Sequence, residues 1–235
     1  MLETTETKSI APSLAPLSES VLISFPICPF VARARVVALE KGIDIRIKFI
    51  DLLNKPAWFL DRSPTGTVPA LDTGEHFIFE SSVISEFIDE CTDGSLHPGS
   101  AADRAVNRAW TEYAAKLLMP QYFLLMASSQ AEIEKHRLTL IAAMQKVEEV
   151  LASKPYFNGD VFSIIDAAYA PVFVRTRFLL ETYKIDVLSD LPKLQAWGQA
   201  LTDRPSVINV HGPEHYEQLK EHMIERGSIL TSRKI

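Results

Sequence analysis

Residues 21–51, VLISFPICPFVARARVVALEKGIDIRIKFID, predict a strand, a helix and a second strand in succession. The run VLISF is short, apolar and β-branched, which is typical of a buried strand. Residues 29–41 carry apolar side chains at helical spacing, open with a proline that suits a first helical turn, and stop before Gly42. The stretch DIRIKFID then alternates, with three apolar residues on one face: Ile45, Ile47 and Phe49. This order indicates a βαβ unit with parallel pairing and a right-handed crossover.

The following stretch predicts a short helix or loop, a β-hairpin and a helix. KPAWFLDRSPTG (residues 55–66) is punctuated by prolines and a glycine. VPALD and HFIFE read as two short strands, joined by a Thr73-Gly74-Glu75 turn. SSVISEFIDECT (residues 81–92) has apolar residues at helical spacing. The first section is therefore predicted to be βαβ, a small helix, two strands and a final helix.

Helical patterns replace strand patterns after about residue 101. They cover residues 101–126, 131–153, 163–183 and 191–202, with a shorter tail helix at 214–225. Pro120 and Pro171 fall inside two of these helices and predict kinks. Ser163 and Asp166 form a variant of the capping box at the start of another.

These patterns predict an α/β domain followed by an all-helical domain. The boundary lies in TDGSLHPGSA, so we expect an α/β domain over residues 20–92, a linker over 93–101 and a helical domain over 102–235. Residues 1–19 contain prolines and small residues and are expected to form a flexible arm.

Composition excludes several classes of protein. The chain has 235 residues, 47% of them hydrophobic, which suffices for a buried core. A net charge of -6 gives no basic footprint for nucleic acid, and two cysteines, Cys28 and Cys91, give no disulfide framework. No apolar run is long enough for a membrane span, and the N-terminus lacks the pattern of a signal peptide, so we expect no membrane association and a cytoplasmic location.

Cys28 is the candidate for chemistry. It lies at the end of the first predicted strand and the start of the first helix, where the helix N-terminus favours a thiolate and a lowered pKa. Ligands also tend to bind at this edge of an α/β sheet. The position is equally compatible with a buried structural thiol, since cysteine is often buried. Cys91 follows an apolar helical stripe and is expected to be structural.

Four ordered segments resemble the glutathione transferase superfamily, and its cysteine-using omega class in particular. CPFVARARVVALEKGI resembles the active-site helix, and NKPAWFLDRSPTGTVPAL the stretch with the glutathione-binding lysine and the cis-proline. FESSVISEFIDE resembles the Glu-Ser signature, and FSIIDAAYAPVFVR the capped core helix. The resemblance implies an N-terminal thioredoxin-like βαβαββα domain and a C-terminal helical bundle.

The resemblance also implies a glutathione site. Cys28 is then the catalytic residue, and Phe30, at the start of the helix that follows it, is one of the glutathione-binding residues, as is Pro69. Lys55 would pair with the glycyl carboxylate and Glu80 with the γ-glutamyl ammonium, while Ser81 and its neighbouring N–H groups would hold the other carboxylate. Val68 would bind the cysteinyl backbone like an added strand, and the bond before Pro69 would be cis. Each residue alone is also compatible with a plain structural role.

A second substrate is expected between the domains. Alignment to the family places Arg175 and Tyr216 beside this pocket, and Trp110, Tyr113 and Phe123 are further candidates. Core packing is at least as good an account of these residues.

Two other patterns are discounted. Asp72-Thr73-Gly74 matches half of an aspartic-protease site, but that chemistry needs two carboxylates and a hairpin turn explains the motif. His211, His215 and His222 are expected at the surface, and no metal site is predicted.

The resemblance implies a glutathione-dependent thioltransferase or reductase that forms a mixed disulfide on Cys28, with dehydroascorbate among the conceivable substrates. Its partners would be glutathione, as co-substrate, and a small hydrophobic or glutathionylated molecule, and the family usually forms homodimers. Two alternatives share the fold. One is a non-catalytic regulator like the stringent-starvation proteins, and the other a protein like the chloride intracellular channels.

Overall fold

The computed structural model describes residue 17 and residues 19–232, so the predicted arm lies almost wholly outside the described residues. Four strands form one mixed sheet in the order β2-β1-β3-β4. Their bounds are β1 Val21–Ser24, β2 Arg46–Phe49, β3 Ala70–Asp72 and β4 Phe77–Phe79. β1 pairs with β2 in parallel and with β3 antiparallel, so β1 is central.

Three helices accompany the sheet. They are α1 (Pro29–Glu40), α2 (Ala57–Arg62) and α3 (Ser81–Glu90). The chain order β1, α1, β2, α2, β3, β4, α3 is the predicted βαβαββα order, and the later elements are helices. The predicted fold class is therefore confirmed.

The alternating strand β2 is less buried than its pattern suggests. Ile45 is buried just before the strand, but Phe49 is 56% exposed. β2 is an edge strand, and no further strand covers its outer side within the described residues. The alternation therefore predicts the strand correctly, but of its three apolar residues only Ile45 is buried.

Helices make up the regular structure of the rest of the described chain. Their bounds are α4 Ala101–Tyr113, α5 Ala115–Leu125, α6 Gln130–Val150, α7 Ile164–Tyr183, α8 Pro192–Thr202, α9 Pro205–His211, α10 His215–Glu225 and α11 Ile229–Ser232. None of the described helices is both long and apolar enough to cross a bilayer.

The helix predicted over residues 101–126 is two helices. The break falls at Ala114, six residues before Pro120, and Pro120 lies inside the second of the two helices. Likewise, α7 runs through Pro171. The short α9 was not predicted, although Pro205 stands at its first position as a helix-start signal.

Helices α1 and α7 form the centre of the molecule. α1 packs against α3 on one side and against α7 and α9 on the other. α7 is buried along most of its length. Two buried arginines join these helices: Arg33 Nε donates to the carbonyl of Ala168 at 3.1 Å, and Arg175 Nη2 donates to the carbonyl of Ile27 at 2.8 Å.

A buried carboxylate anchors the segment between α3 and α4. Asp89 accepts hydrogen bonds from Lys41 Nζ at 3.0 Å, Ser95 Oγ at 3.0 Å and the Leu96 N–H at 2.9 Å. This segment contains no helix or strand, and Asp89 holds it against α3 and the end of α1.

Candidate functional site

One cavity brings together the residues predicted for the ligand site. It has a volume of about 580 Å³ and lies where β1 ends and α1 begins. All seven predicted residues line it: Cys28, Phe30, Lys55, Val68, Pro69, Glu80 and Ser81. The bond between Val68 and Pro69 is cis.

Cys28 is the residue before α1, in N-cap position, and its side chain faces Val68. Its Sγ lies 3.8 Å from the Val68 carbonyl oxygen. Burial raises the pKa of the Cys28 thiol above its ordinary value, and this effect outweighs the backbone N–H groups of Val31 and Phe30 and the charges of Arg175 and Arg33. The expectation of a lowered pKa is therefore wrong for this structure, because the helix N-terminus does not compensate for desolvation.

Two opposite charges stand unpaired along the cavity. Lys55 and Glu80 make no ion pair with any other described residue, and both line the cavity wall. Glu80 also has a φ of 69°, an angle that non-glycine residues rarely adopt. Strained backbone of this kind is concentrated at ligand sites, which supports a binding role for this position.

The N-terminus of α3 supplies donors to the same cavity. Ser81 is the first residue of this helix and is buried. The first-turn N–H groups of a helix have no partners within it and suit a carboxylate. The Val68 N–H likewise donates to no other described residue. The cavity thus offers a cation, an anion, a carboxylate site and free backbone donors around one thiol.

The second-substrate candidates are dispersed. Arg175 is buried in a small cavity behind Cys28. Trp110 and Tyr113 stack on each other at 5.1 Å within an aromatic cluster, and the Tyr113 hydroxyl donates to the Ala143 carbonyl at 3.5 Å. Phe123 is 46% exposed and stacks on His136.

Tyr216 lines a separate cavity of about 320 Å³, and its hydroxyl donates to the Val174 carbonyl at 3.3 Å. Within the described chain, only Arg175 of these five candidates lines a cavity that also contains Cys28. The structure therefore does not assemble them into one pocket.

Two of the three histidines expected at the surface lie inside the fold. His215 is 7% exposed, His211 is partly buried, and their rings meet edge to face with centroids 4.8 Å apart. Burial lowers the pKa of His211 to about 4 and that of His215 to about 3. That expectation is wrong for His215, because α9, which was not predicted, covers this region. The described residues contain no group of three or more side chains suited to a metal ion.

The sequence analysis did not identify several other residues in and near the site. Leu52, Thr65, Gly66 and Thr67 complete the cavity wall. Arg33 lies one helical turn beyond Cys28 and is buried. In the sequence, the burial of Arg33 is indicated only by its position among the apolar residues of this helix. The Asp72-Thr73-Gly74 motif forms the hairpin turn, with the Gly74 N–H donating to Asp72 Oδ1 at 3.0 Å.

Sequence comparison identifies related proteins. The chain matches the profile described as "Glutathione S-transferase, N-terminal domain" over residues 27–91, and the one described as "Glutathione S-transferase, C-terminal domain" over residues 130–200. Glutathione S-transferase omega-1 of Sus scrofa is 32% identical over 193 residues, which cover 80% of this chain and 78% of that protein. Glutathione S-transferase U28 of Arabidopsis thaliana is 29% identical over 195 residues, or 81% and 87% of the two chains.

Structure comparison gives a similar result. The crystal structure of glutathione transferase Omega 3C from Trametes versicolor superposes with a TM-score of 0.74 at 28% identity. The superposition covers 88% of this chain and 91% of that one.

Proposed function

The chain belongs to the glutathione S-transferase family, and on that premise we propose that it is an omega-like, glutathione-dependent thioltransferase whose nucleophile is Cys28. The observation that carries the proposal is the single cavity lined by Cys28 and by the six predicted glutathione-binding residues. A cysteine at this position suits disulfide exchange, whereas activation of a glutathione thiol for conjugation requires a hydrogen-bond donor that does not itself attack.

We assign glutathione to the cavity as follows. Lys55 pairs with the glycyl carboxylate, and Glu80 with the γ-glutamyl ammonium. Ser81 and the first N–H groups of α3 hold the γ-glutamyl carboxylate. The free N–H of Val68 receives the cysteinyl carbonyl. These contacts leave the glutathione sulfur beside Cys28.

The reaction proceeds by two thiol–disulfide exchanges. The Cys28 thiolate attacks the glutathione sulfur of a glutathionylated substrate, so a new S–S bond forms, the substrate's S–S bond breaks, and the substrate leaves as a thiolate with the electron pair. The proton that Cys28 released is taken up by this leaving thiolate. A second glutathione thiolate then attacks the glutathione sulfur bound to Cys28, releases glutathione disulfide and restores the Cys28 thiolate.

Mass spectrometry tests the nucleophile directly. The protein is incubated with the mixed disulfide of glutathione and 2-mercaptoethanol, and we expect one glutathione adduct per chain, located on Cys28. Cys91→Ser is the matched control, because Cys91 is the other free cysteine and does not line the cavity. This control should form the adduct and keep thioltransferase turnover, while Cys28→Ser should lose both.

An adduct on Cys91, or unchanged turnover in Cys28→Ser, would contradict the proposed mechanism. A protein that neither binds glutathione nor turns over would instead favour the non-catalytic alternatives on the same fold.

A further inference from the structure

Arg175 is a buried cation without a carboxylate partner. It lies on α7 with 3% of its surface exposed, and it forms no ion pair with any other described residue. Its Nη2 donates to the Ile27 carbonyl, while its Nη1 is buried and has no hydrogen-bond partner among the described residues. Buried guanidinium groups are normally paired, because an uncompensated charge is costly away from water. The site therefore lacks an anion.

The space beside Arg175 is too small for most anions. A cavity of about 10 Å³ separates α7 from the start of α1, and this volume is near the minimum for one water molecule. Arg35, His211 and His215 also line the cavity, and no aspartate or glutamate does. Burial keeps both histidines neutral near pH 7 by lowering their pKa to about 4 and about 3.

Cys28 is the acidic group best placed to compensate Arg175. It lines the same cavity, and the Ile27 carbonyl that Arg175 binds belongs to the peptide group leading into Cys28. Among acidic groups, Cys28 has the largest electrostatic effect on Arg175, followed by Tyr122. Arg33 is the other buried cation near Cys28, but Glu112 and Tyr169 act on its charge more strongly than Cys28 does.

We infer that Arg175 is the counter-ion of the Cys28 thiolate, and that it is the positioning residue that favours ionisation of this thiol. The positive charge of Arg175 is neutralised by Cys28 only when the thiol loses its proton. The guanidinium therefore favours the thiolate over the neutral thiol. The inference deepens the proposed function and rests on it in taking the thiolate as the reactive form. It gives Arg175 a role toward the thiol rather than toward a second substrate.

A titration of Cys28 in free enzyme tests the inference. The other charged or titratable groups that share a cavity with Cys28 or act on Cys28 or Arg175 are left unchanged: Arg33, Arg35, Lys55, Glu80, Tyr122, His211 and His215. All variants carry Cys91→Ser, so that thiolate absorbance and iodoacetamide alkylation report Cys28 alone. Arg175→Gln keeps an N–H donor for the Ile27 carbonyl but removes the charge, and Arg175→Lys keeps the charge.

We expect Arg175→Gln to raise the titration midpoint by about one pH unit or more, and to slow alkylation at neutral pH about tenfold. Arg175→Lys should stay closer to the parent. The control is Arg177→Gln, on the same helix but with 35% of its side chain exposed, where Nη2 lies 3.3 Å from Gln199 Oε1. The titration midpoint of Cys28 should not move in this variant. An unchanged midpoint in Arg175→Gln, or an equal shift in Arg175→Lys, would overturn the inference.

A measurement on the unmodified Arg175 remains decisive even where the glutamine variant does not fold. In an NMR titration, the Arg175 guanidinium resonance should move with the same midpoint as the thiolate absorbance, and this movement should vanish in Cys28→Ser. A resonance that ignores Cys28 ionisation would overturn the inference. Both measurements omit glutathione, so a shifted titration in a protein without thioltransferase turnover would contradict the proposed function and leave this inference standing.

Discussion

At Cys28, two opposing effects act on the same sulfur. Burial favours the neutral thiol, whereas two backbone N–H groups and two buried arginines favour the thiolate. Burial outweighs the other effects and raises the pKa of the thiol, which disfavours the thiolate form that oxidation requires. Among the effects that favour the thiolate, the N–H groups at the start of α1 come before the charges of Arg175 and Arg33.

Glu80 combines a charge with a strained backbone. Its positive φ costs about 1–3 kcal/mol, which the surrounding structure must offset. A glycine would meet the same geometry without strain. The presence of glutamate therefore indicates that its carboxylate has a use outside folding.

We predict that Glu80→Gln weakens glutathione binding about tenfold or more, because a charge-assisted hydrogen bond contributes about 1.5–3 kcal/mol. The backbone and the side-chain shape stay the same, so the free energy of unfolding should change little. Isothermal titration calorimetry with glutathione measures the effect, and Glu75→Gln, in the exposed hairpin turn, is the control. Equal affinities in the two variants would remove Glu80 from the site.

Residues at the cavity could be predicted where each carries a local signal. Cys28 stands at a strand–helix junction, Ser81 opens a helix, and Lys55 and Glu80 precede such elements. The burial of Arg33, Arg175 and His215 could not be predicted, because arginine and histidine on helices usually face solvent. The packing of α1 against α7, and of α9 against α1, buries this region.

At the start of α7, one carboxylate holds several neighbouring elements in place through hydrogen bonds. Asp166 lies in its first turn and is fully buried. Its Oδ2 accepts from the Ser163 N–H at 2.8 Å and the Ser163 hydroxyl at 2.7 Å. Its Oδ1 accepts from the Phe157 N–H at 2.9 Å and from Trp197 Nε1 at 2.7 Å. The same carboxylate thus ends the preceding loop, begins α7 and holds α8.

We predict that Asp166→Asn lowers the free energy of unfolding by about 3 kcal/mol or more, because the amide nitrogen faces buried donors that then lack an acceptor. Urea unfolding followed by circular dichroism measures this loss. Asp160→Asn is the control, since Asp160 is exposed and pairs with Lys154 on the surface, and its effect should stay below about 0.5 kcal/mol. Coincident unfolding midpoints for the two variants would contradict the role given to Asp166.

Element boundaries were predictable to different degrees. Proline, glycine and capping residues mark the ends of α1, α7 and α8 in the sequence. The division between α4 and α5 has no such mark, because alanine, which stands at the break, is a strong helix former. The short α9 depends on its contacts with α1 and α8, so its own few residues carry little signal.

For the whole molecule, the buried histidine pair sets the response to acid. Unfolded histidine titrates near pH 6.5, whereas burial lowers the pKa of His211 to about 4 and that of His215 to about 3. Below pH 6.5 the unfolded chain therefore binds protons that the folded chain does not, so stability falls with falling pH. Glu86 contributes only further into acid: burial opposes its ionisation, but the bonds from His97 and Arg108 prevail and lower its pKa to about 2.

We predict that, as the pH falls from about 6.5 to 4.5, the free energy of unfolding decreases by about 1.4 kcal/mol per pH unit for each of these two histidines. His215→Gln should reduce this slope by the contribution of one proton, which is about 1.4 kcal/mol per pH unit. Urea unfolding across the pH range measures it, with His76→Gln, on the exposed hairpin, as the control. A slope equally steep in His215→Gln would show that other groups control acid stability.

The two arginine bonds between α1 and α7 run in opposite directions: Arg33 reaches into the helical part for its acceptor, and Arg175 reaches back to the loop ahead of α1. In each half of the chain, a buried arginine thus donates a hydrogen bond to a backbone carbonyl of the other half. A fragment holding only the sheet and its helices would expose one apolar side of α1 and leave Arg33 without its acceptor. The two halves should accordingly unfold in one transition, and separating them would remove the buried surroundings of Cys28 as well as part of the core.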